Sequence, residues 1–100
     1  MATERTPVVF RRWRETGTVI ALFPGIPTDP HGRFCEAYEH VGQHGGADYH
    51  GVIRATTPAD SQASAPLAVE LVGIGYELRP VRRAARRLHD DRMASARAGR

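Results

Sequence analysis

Four side chains with the means to do chemistry crowd into one stretch: Cys35, His40, His44 and His50 fall within sixteen residues. A thiol and imidazoles are the donors that zinc or copper takes. The spacing resists a ready-made site. On an extended strand Cys35 and His40 point to opposite faces, and His40 and His44 share a face about 13 Å apart at ~3.3 Å per residue. Chelation would need the turn at 42–46 to fold His44 back, so no metal or other cofactor is assigned. The same residues offer acid–base chemistry. His40 or His44 suits a general base with Tyr38, Asp48 or Tyr49 as orienter, and Cys35 suits a nucleophile if an imidazole reaches it. No spacing matches a catalytic motif and no glycine pattern matches a phosphate loop, so no catalytic residue is named. A third reading takes His40, Gln43, His44, Asp48 and Tyr49 as a hydrogen-bonding recognition loop around the glycine-rich turn.

Charge offers a second candidate. All 14 basic residues are arginine, and lysine and asparagine are absent, a bias that fits GC-rich codon usage. Residues 79–100 carry eight arginines against Asp90 and Asp91, a net +6, while residues 1–78 carry six arginines against nine carboxylates, a net −3. A basic end on an acidic body is the electrostatic footprint of a nucleic-acid contact. Arg79, Arg82, Arg83, Arg86 and Arg87 are its densest part. Asp90 and Asp91 blunt the field, and nothing in the pattern points to base readout.

These residues need a scaffold. One hundred residues, 41% apolar and 25% charged, suit one domain with one modest core. Val8–Trp13 and Thr18–Phe23 are β-branched and aromatic, and Gly17 between them supplies the positive φ of a hairpin turn. Phe10 and Trp13 fall on opposite sides of the first strand. Prolines 24, 27 and 30 interrupt regular structure over 24–32. Residues 33–43 read as a third strand with Cys35, Ala37 and Val41 toward the core, followed by a flexible turn over 42–46. Asp48 suits the cap of a short helix over 49–55. Leu67, Leu71, Val72 and Ile74 recur at helical spacing and Gly73 and Gly75 mark the end. That helix starts at Thr57 with a capping threonine, or at Ser64 with Pro66 in its first turn. Tyr76–Arg79 returns as an edge strand stopped by Pro80. Residues 84–97 favour helix, but Val81, Ala85 and Leu88 make only a narrow apolar face, so a frayed helix or a disordered extension is expected.

Taken together, the pattern predicts an α+β domain over residues 1–80. It consists of a small antiparallel sheet in β-β-β-α-α-β order with a helix on one face, followed by an arginine-rich tail over 81–100. The string Val8–Trp13, then Gly17–Pro24, Cys35, Tyr38, His40-Val41-Gly42-Gln43-His44-Gly45 and Ala47-Asp48-Tyr49, closing with Glu70-Leu71, Gly73-Ile74-Gly75-Tyr76 and Leu78, resembles a group of short bacterial proteins, some carried on mobile elements, that have no assigned activity. The resemblance spans roughly residues 8–79. It implies a shared fold and transfers no catalytic or binding residue.

The expected function is a non-catalytic accessory or binding module, contacting nucleic acid through the arginines. The alternatives are a small metal-dependent or histidine-based enzyme at Cys35, His40 and His44, or a protein–protein module or homodimer. No apolar run approaches the ~18–20 residues of a membrane span, so no membrane partner is expected. A lone cysteine and the lack of an export signal point to the cytoplasm.

Overall fold

The computed structural model describes residues 5–40 and 43–99. Among them lie strands β1 (Thr6–Trp13), β2 (Val19–Pro27), β3 (Cys35–Tyr38) and β4 (His44–Ala47), helix α1 (Tyr49–Ala55), strand β5 (Thr56–Pro58), helix α2 (Ser61–Gly73), strand β6 (Leu78–Pro80) and helix α3 (Arg86–Ala98). The strands of the described residues form one six-stranded sheet in the order β4-β3-β2-β1-β5. β6 pairs in parallel with the start of β1, where Thr6 faces Leu78, while β5 pairs antiparallel with its end, where Trp13 faces Thr56. The β1–β2 hairpin turns where Gly17 takes φ 78°, a conformation open to glycine. Its register sets Val9 opposite Leu22.

β1 and β2 are apolar on both faces, because Val8-Val9-Phe10 and Ile20-Ala21-Leu22-Phe23 leave no polar side to wet. The sheet is accordingly covered on both faces, not on one face as the sequence pattern predicts. On one face Val8, Phe10, Ala21, Phe23 and Tyr38 pack with Leu67 and Leu71 of α2. On the other, Val9, Ile20, Leu22, Cys35 and Ala37 pack with Tyr49 and Val52 of α1. Each buried side chain of this size contributes roughly 1.5–3 kcal/mol. Tyr38 belongs to the α2 face although it alternates with Cys35 and Ala37, which the sequence pattern alone assigned to the core.

The element order differs from the expected one in three places. Residues 44–46, expected in a flexible turn, extend with Ala47 as β4 beside β3, with Tyr38 opposite His44. Thr56–Pro58 adds β5, and α2 starts at Ser61 under an Asp60 cap rather than at Thr57 or Ser64. Third, the C-terminal segment is not a loose basic tail but helix α3, docked against β2. Its buried stripe is Leu88, Arg92 and Ala96, one residue per turn. The stripe meets Gly32, whose φ is 73° and where a Cβ would lie 2.9 Å from the Met93 Cα. Glycine at 32 therefore satisfies both the backbone conformation and the close helix approach. Val41, expected toward the core on the third strand, and Gly42, expected in the turn, lie outside the described residues.

Candidate anion-binding site

Arg11 lies mid-strand on the α1 face of β1 and is buried. Its Nε donates to Thr56 Oγ1 at 2.8 Å and its Nη2 to the Thr56 carbonyl at 2.8 Å and the Ile53 carbonyl at 3.2 Å. Arg92, on the buried stripe of α3, donates from Nε to the Gly32 carbonyl at 2.8 Å and from Nη1 to the Pro24 carbonyl at 2.7 Å. That carbonyl is available because β2 breaks register with β3 between Phe23 and Pro27. Among the described residues neither guanidinium has an ion-pair partner, since the ion pairs there join His40 to Glu70 and His44 to Glu36. Uncharged acceptors, mostly backbone carbonyls, take their hydrogen bonds and leave their charge uncompensated, an unusual condition for buried arginine. Burial presses on the charged form of Arg11; Tyr49 opposes this, and repulsion from Arg14 and Arg82 adds to it.

Over this charge sits a cleft of about 820 Å³ between α1 and the start of α3, lined by Arg11, Tyr49, His50, Ile53 and Pro58 on one side and Arg82, Arg83, Ala84, Arg86, His89 and Asp90 on the other. Tyr49 is buried, and its hydroxyl accepts the Ala84 backbone N–H at 2.8 Å, tying α1 to the segment that enters α3. The rings of Tyr49, His50 and His89 form a triangle, with centroids 5.3 Å apart for Tyr49–His50, 4.8 Å for Tyr49–His89 and 5.2 Å for His50–His89. Burial, Arg92 and His50 hold the His89 pKa below its ordinary value against the weaker pull of Asp90.

The start of α3 adds to the field. Its cap position is Ala85, which supplies no side-chain acceptor, and no acidic residue stands in its first turn. Arg86 and Arg87 stand there instead, at the positive pole of the helix, where acidic side chains are the stabilising choice. The five arginines singled out from the sequence divide around this pole. Arg82, Arg83 and Arg86 line the cleft just described, whereas Arg79 and Arg87 line a second cleft of about 780 Å³ with Arg5 and Asp91.

The histidine-rich segment is split by the sheet. Cys35 is fully buried on the α1 face. Burial pushes its thiol up to about 11, with Arg92 pulling the other way, so it carries almost no thiolate at neutral pH. His40 and His44 are exposed and sit with Glu70 and Glu36, on the α2 side of the sheet. His40 Nδ1 is 2.8 Å from Glu70 Oε2, and the Tyr38 hydroxyl donates to the other oxygen of that carboxylate. His44 Nδ1 is 3.6 Å from Glu36 Oε1, and Glu36 Oε2 also accepts the Tyr76 hydroxyl at 3.2 Å. The structure thus parts Cys35 from His40 and His44. His50 belongs to the arginine cleft, and among the described residues no group of three or more His, Cys, Asp or Glu side chains is placed to hold a metal.

The five residues of the expected recognition loop are likewise dispersed. Gln43 and His44 edge a small cleft of about 330 Å³ with Trp13 and Glu39, where Trp13 Nε1 donates to Glu39 Oε1 at 3.0 Å. Asp48 is exposed at the start of α1 without a side-chain capping bond. Tyr49 turns to the arginine cleft. Sequence reasoning missed Arg11, Arg92 and His89. The signal for Arg92 was its place four residues from both Leu88 and Ala96. Arg11 was flagged only by standing inside an apolar strand.

Among the described residues no helix is long and apolar enough to cross a membrane. Comparison with models of protein families, with curated proteins and with solved structures found no match to this chain.

Proposed function

We propose that this protein is a non-catalytic binding module whose cleft between α1 and α3 takes the phosphates of a nucleic acid. One observation carries this reading: positive charge is placed where folding alone disfavours it. Arg86 and Arg87 occupy the uncapped positive end of α3, and Arg11 lies buried in the cleft that Arg86 lines, without a carboxylate. A helix N-terminus and clustered guanidinium groups each favour an anion, and a bound phosphate would relieve the repulsion among them. Single strands suit a cleft of this size better than a duplex, whose phosphates lie on a broad cylinder.

Fluorescence anisotropy with labelled single-stranded RNA and DNA tests the reading. Three arginines engaging three phosphates give a salt exponent of about −2, hence about 20-fold weaker binding for a fourfold rise in salt. Replacing Arg82, Arg83 and Arg86 together by glutamine should flatten that dependence and weaken binding at least tenfold. Binding that is insensitive to salt, or unchanged in the triple variant, would remove the cleft from the account.

A further inference from the structure

We infer that the cleft is specific for a terminal phosphate, a phosphomonoester at a strand end or on a mononucleotide, and that His89 reads it as an uncharged N–H donor. The inference rests on the anion-binding reading above and adds the identity of the anion. It starts from Arg92, whose Nη1 lies 2.9 Å from His89 Nδ1. A guanidinium has no acceptor, so the imidazole must accept at Nδ1. The ring proton then resides on Nε2 and the ring is neutral, since a second proton at Nδ1 would face the guanidinium N–H. Arg92 cannot swing away to release the ring, because its own Nε and Nη1 are held by the Gly32 and Pro24 carbonyls in the interior. His89 is therefore a fixed donor.

Tyr49 is a second uncharged donor. Its oxygen already accepts the Ala84 N–H, which leaves the hydroxyl hydrogen to give. Around these two stand the exposed guanidinium groups of Arg82, Arg83 and Arg86. An internal phosphodiester has two unesterified oxygens and one charge. A phosphomonoester has three such oxygens and close to two charges at neutral pH. Three cations exceed the single charge of a diester, and with two uncharged donors they suit the second charge and third oxygen of a monoester. Asp90, on the same wall, disfavours a ligand that brings anionic oxygens to its side and suits the hydroxyl of an attached sugar.

The experiment compares one short oligoribonucleotide, carrying a fluorophore at its far end, with a 5′-phosphate and with a 5′-hydroxyl. A 3′-phosphorylated strand and uridine monophosphate as competitor form further arms. The phosphorylated end should bind about tenfold or more tightly than the hydroxyl end, the worth of one hydrogen bond to a charged group. Competition by the mononucleotide identifies a free nucleotide as sufficient, and its failure restricts the ligand to strand ends. His89→Leu should erase the preference while leaving the arginine-dependent salt response. Imidazole nitrogen-15 NMR on the unaltered chain reads the same donor without a variant: Nε2 protonated, Nδ1 not, and Nε2 shifting on addition of the mononucleotide. Equal affinity for both ends, or a proton found on Nδ1, overturns the inference and leaves the anion-binding reading standing. No binding by either strand sinks both.

Discussion

Helices α2 and α3 have the same length, thirteen residues each, and cover opposite faces of one sheet, yet they are held by different means. α2 docks through Leu67 and Leu71, and its N-terminus is closed by Asp60, whose carboxylate accepts the Ala63 N–H at 2.7 Å. Its C-terminus is closed as well: Gly75 takes φ 113° and Tyr76 N–H returns to the Leu71 carbonyl at 3.1 Å. α3 has an open N-terminus crowded with arginine, and a guanidinium takes the middle of its buried stripe. The first helix is closed at both ends and anchored by leucine, although Pro66 stands in its second turn rather than its first. The second departs from capping and burial preferences at one place after another, and two of the groups involved, Arg86 and the His89 that Arg92 contacts, line one cleft. Sites that give up stability together are where function is to be sought.

The largest expected difference between the helices is energetic. Leu71 is fully buried, and Leu71→Ala should lower unfolding free energy by about 2–5 kcal/mol in urea titrations. Leu88→Ala, on a helix held largely by Arg92 and its carbonyl partners, should cost no more than about 2 kcal/mol. Equal losses would mean that α3 is an apolar anchor like α2 and would end the contrast.

Cys35 reports whether α3 nevertheless stays docked, since it lies on the face that α1 and α3 cover and feels the charge of Arg92. A thiol raised from about 9 to about 11 has about one-hundredth of the usual thiolate at neutral pH. Labelling by a thiol-exchange reagent should therefore be at least about 100-fold slower in the native protein than in urea, because burial adds to the loss of thiolate. Native labelling at the denatured rate would show α3 and its neighbours opening freely.

What the sequence made legible follows the same division. The β1–β2 hairpin, Leu67 and Leu71 of α2 and its glycine stop were visible because period and turn chemistry agreed there, whereas Val72 and Ile74, read into the same stripe, are exposed. The unbroken apolar runs of β1 and β2 suit burial on both faces, yet a helix was expected on one face only, because alternation in β3 drew attention to that face and hid the cover on the other. α3 was illegible as a docked helix because a side chain counted as solvated, Arg92, is its central buried contact, and no local pattern reveals carbonyl oxygens contributed by residues 24 and 32. For the site, the basic cluster was evident from charge. Its division between two clefts, and its meeting with Tyr49, His50 and His89, depends on how α1 and α3 approach across the sheet, a contact of long sequence separation.

The smallest predicted effect is also the most discriminating. Asp60 caps α2 with φ −72° and ψ 175°, and Ala85 occupies the equivalent place on α3 with φ −69° and ψ 153°. The two backbones have similar dihedral angles, so an aspartate at 85 meets no conformational obstacle, and it would share the Leu88 N–H, which already donates to the Ala85 carbonyl at 2.9 Å. Ala85→Asp should thus raise stability by about 0.5–1 kcal/mol, through the cap and through partial neutralisation of Arg86 and Arg87. The same carboxylate would occupy the field meant for the ligand, and binding of a phosphorylated strand should weaken by a comparable free energy, several-fold in affinity. Urea unfolding and anisotropy on the one variant measure both. A variant that gains stability and keeps its affinity would show that the open N-terminus of α3 is an unrepaired defect; gain on one side with loss on the other identifies it as the place where stability was exchanged for recognition.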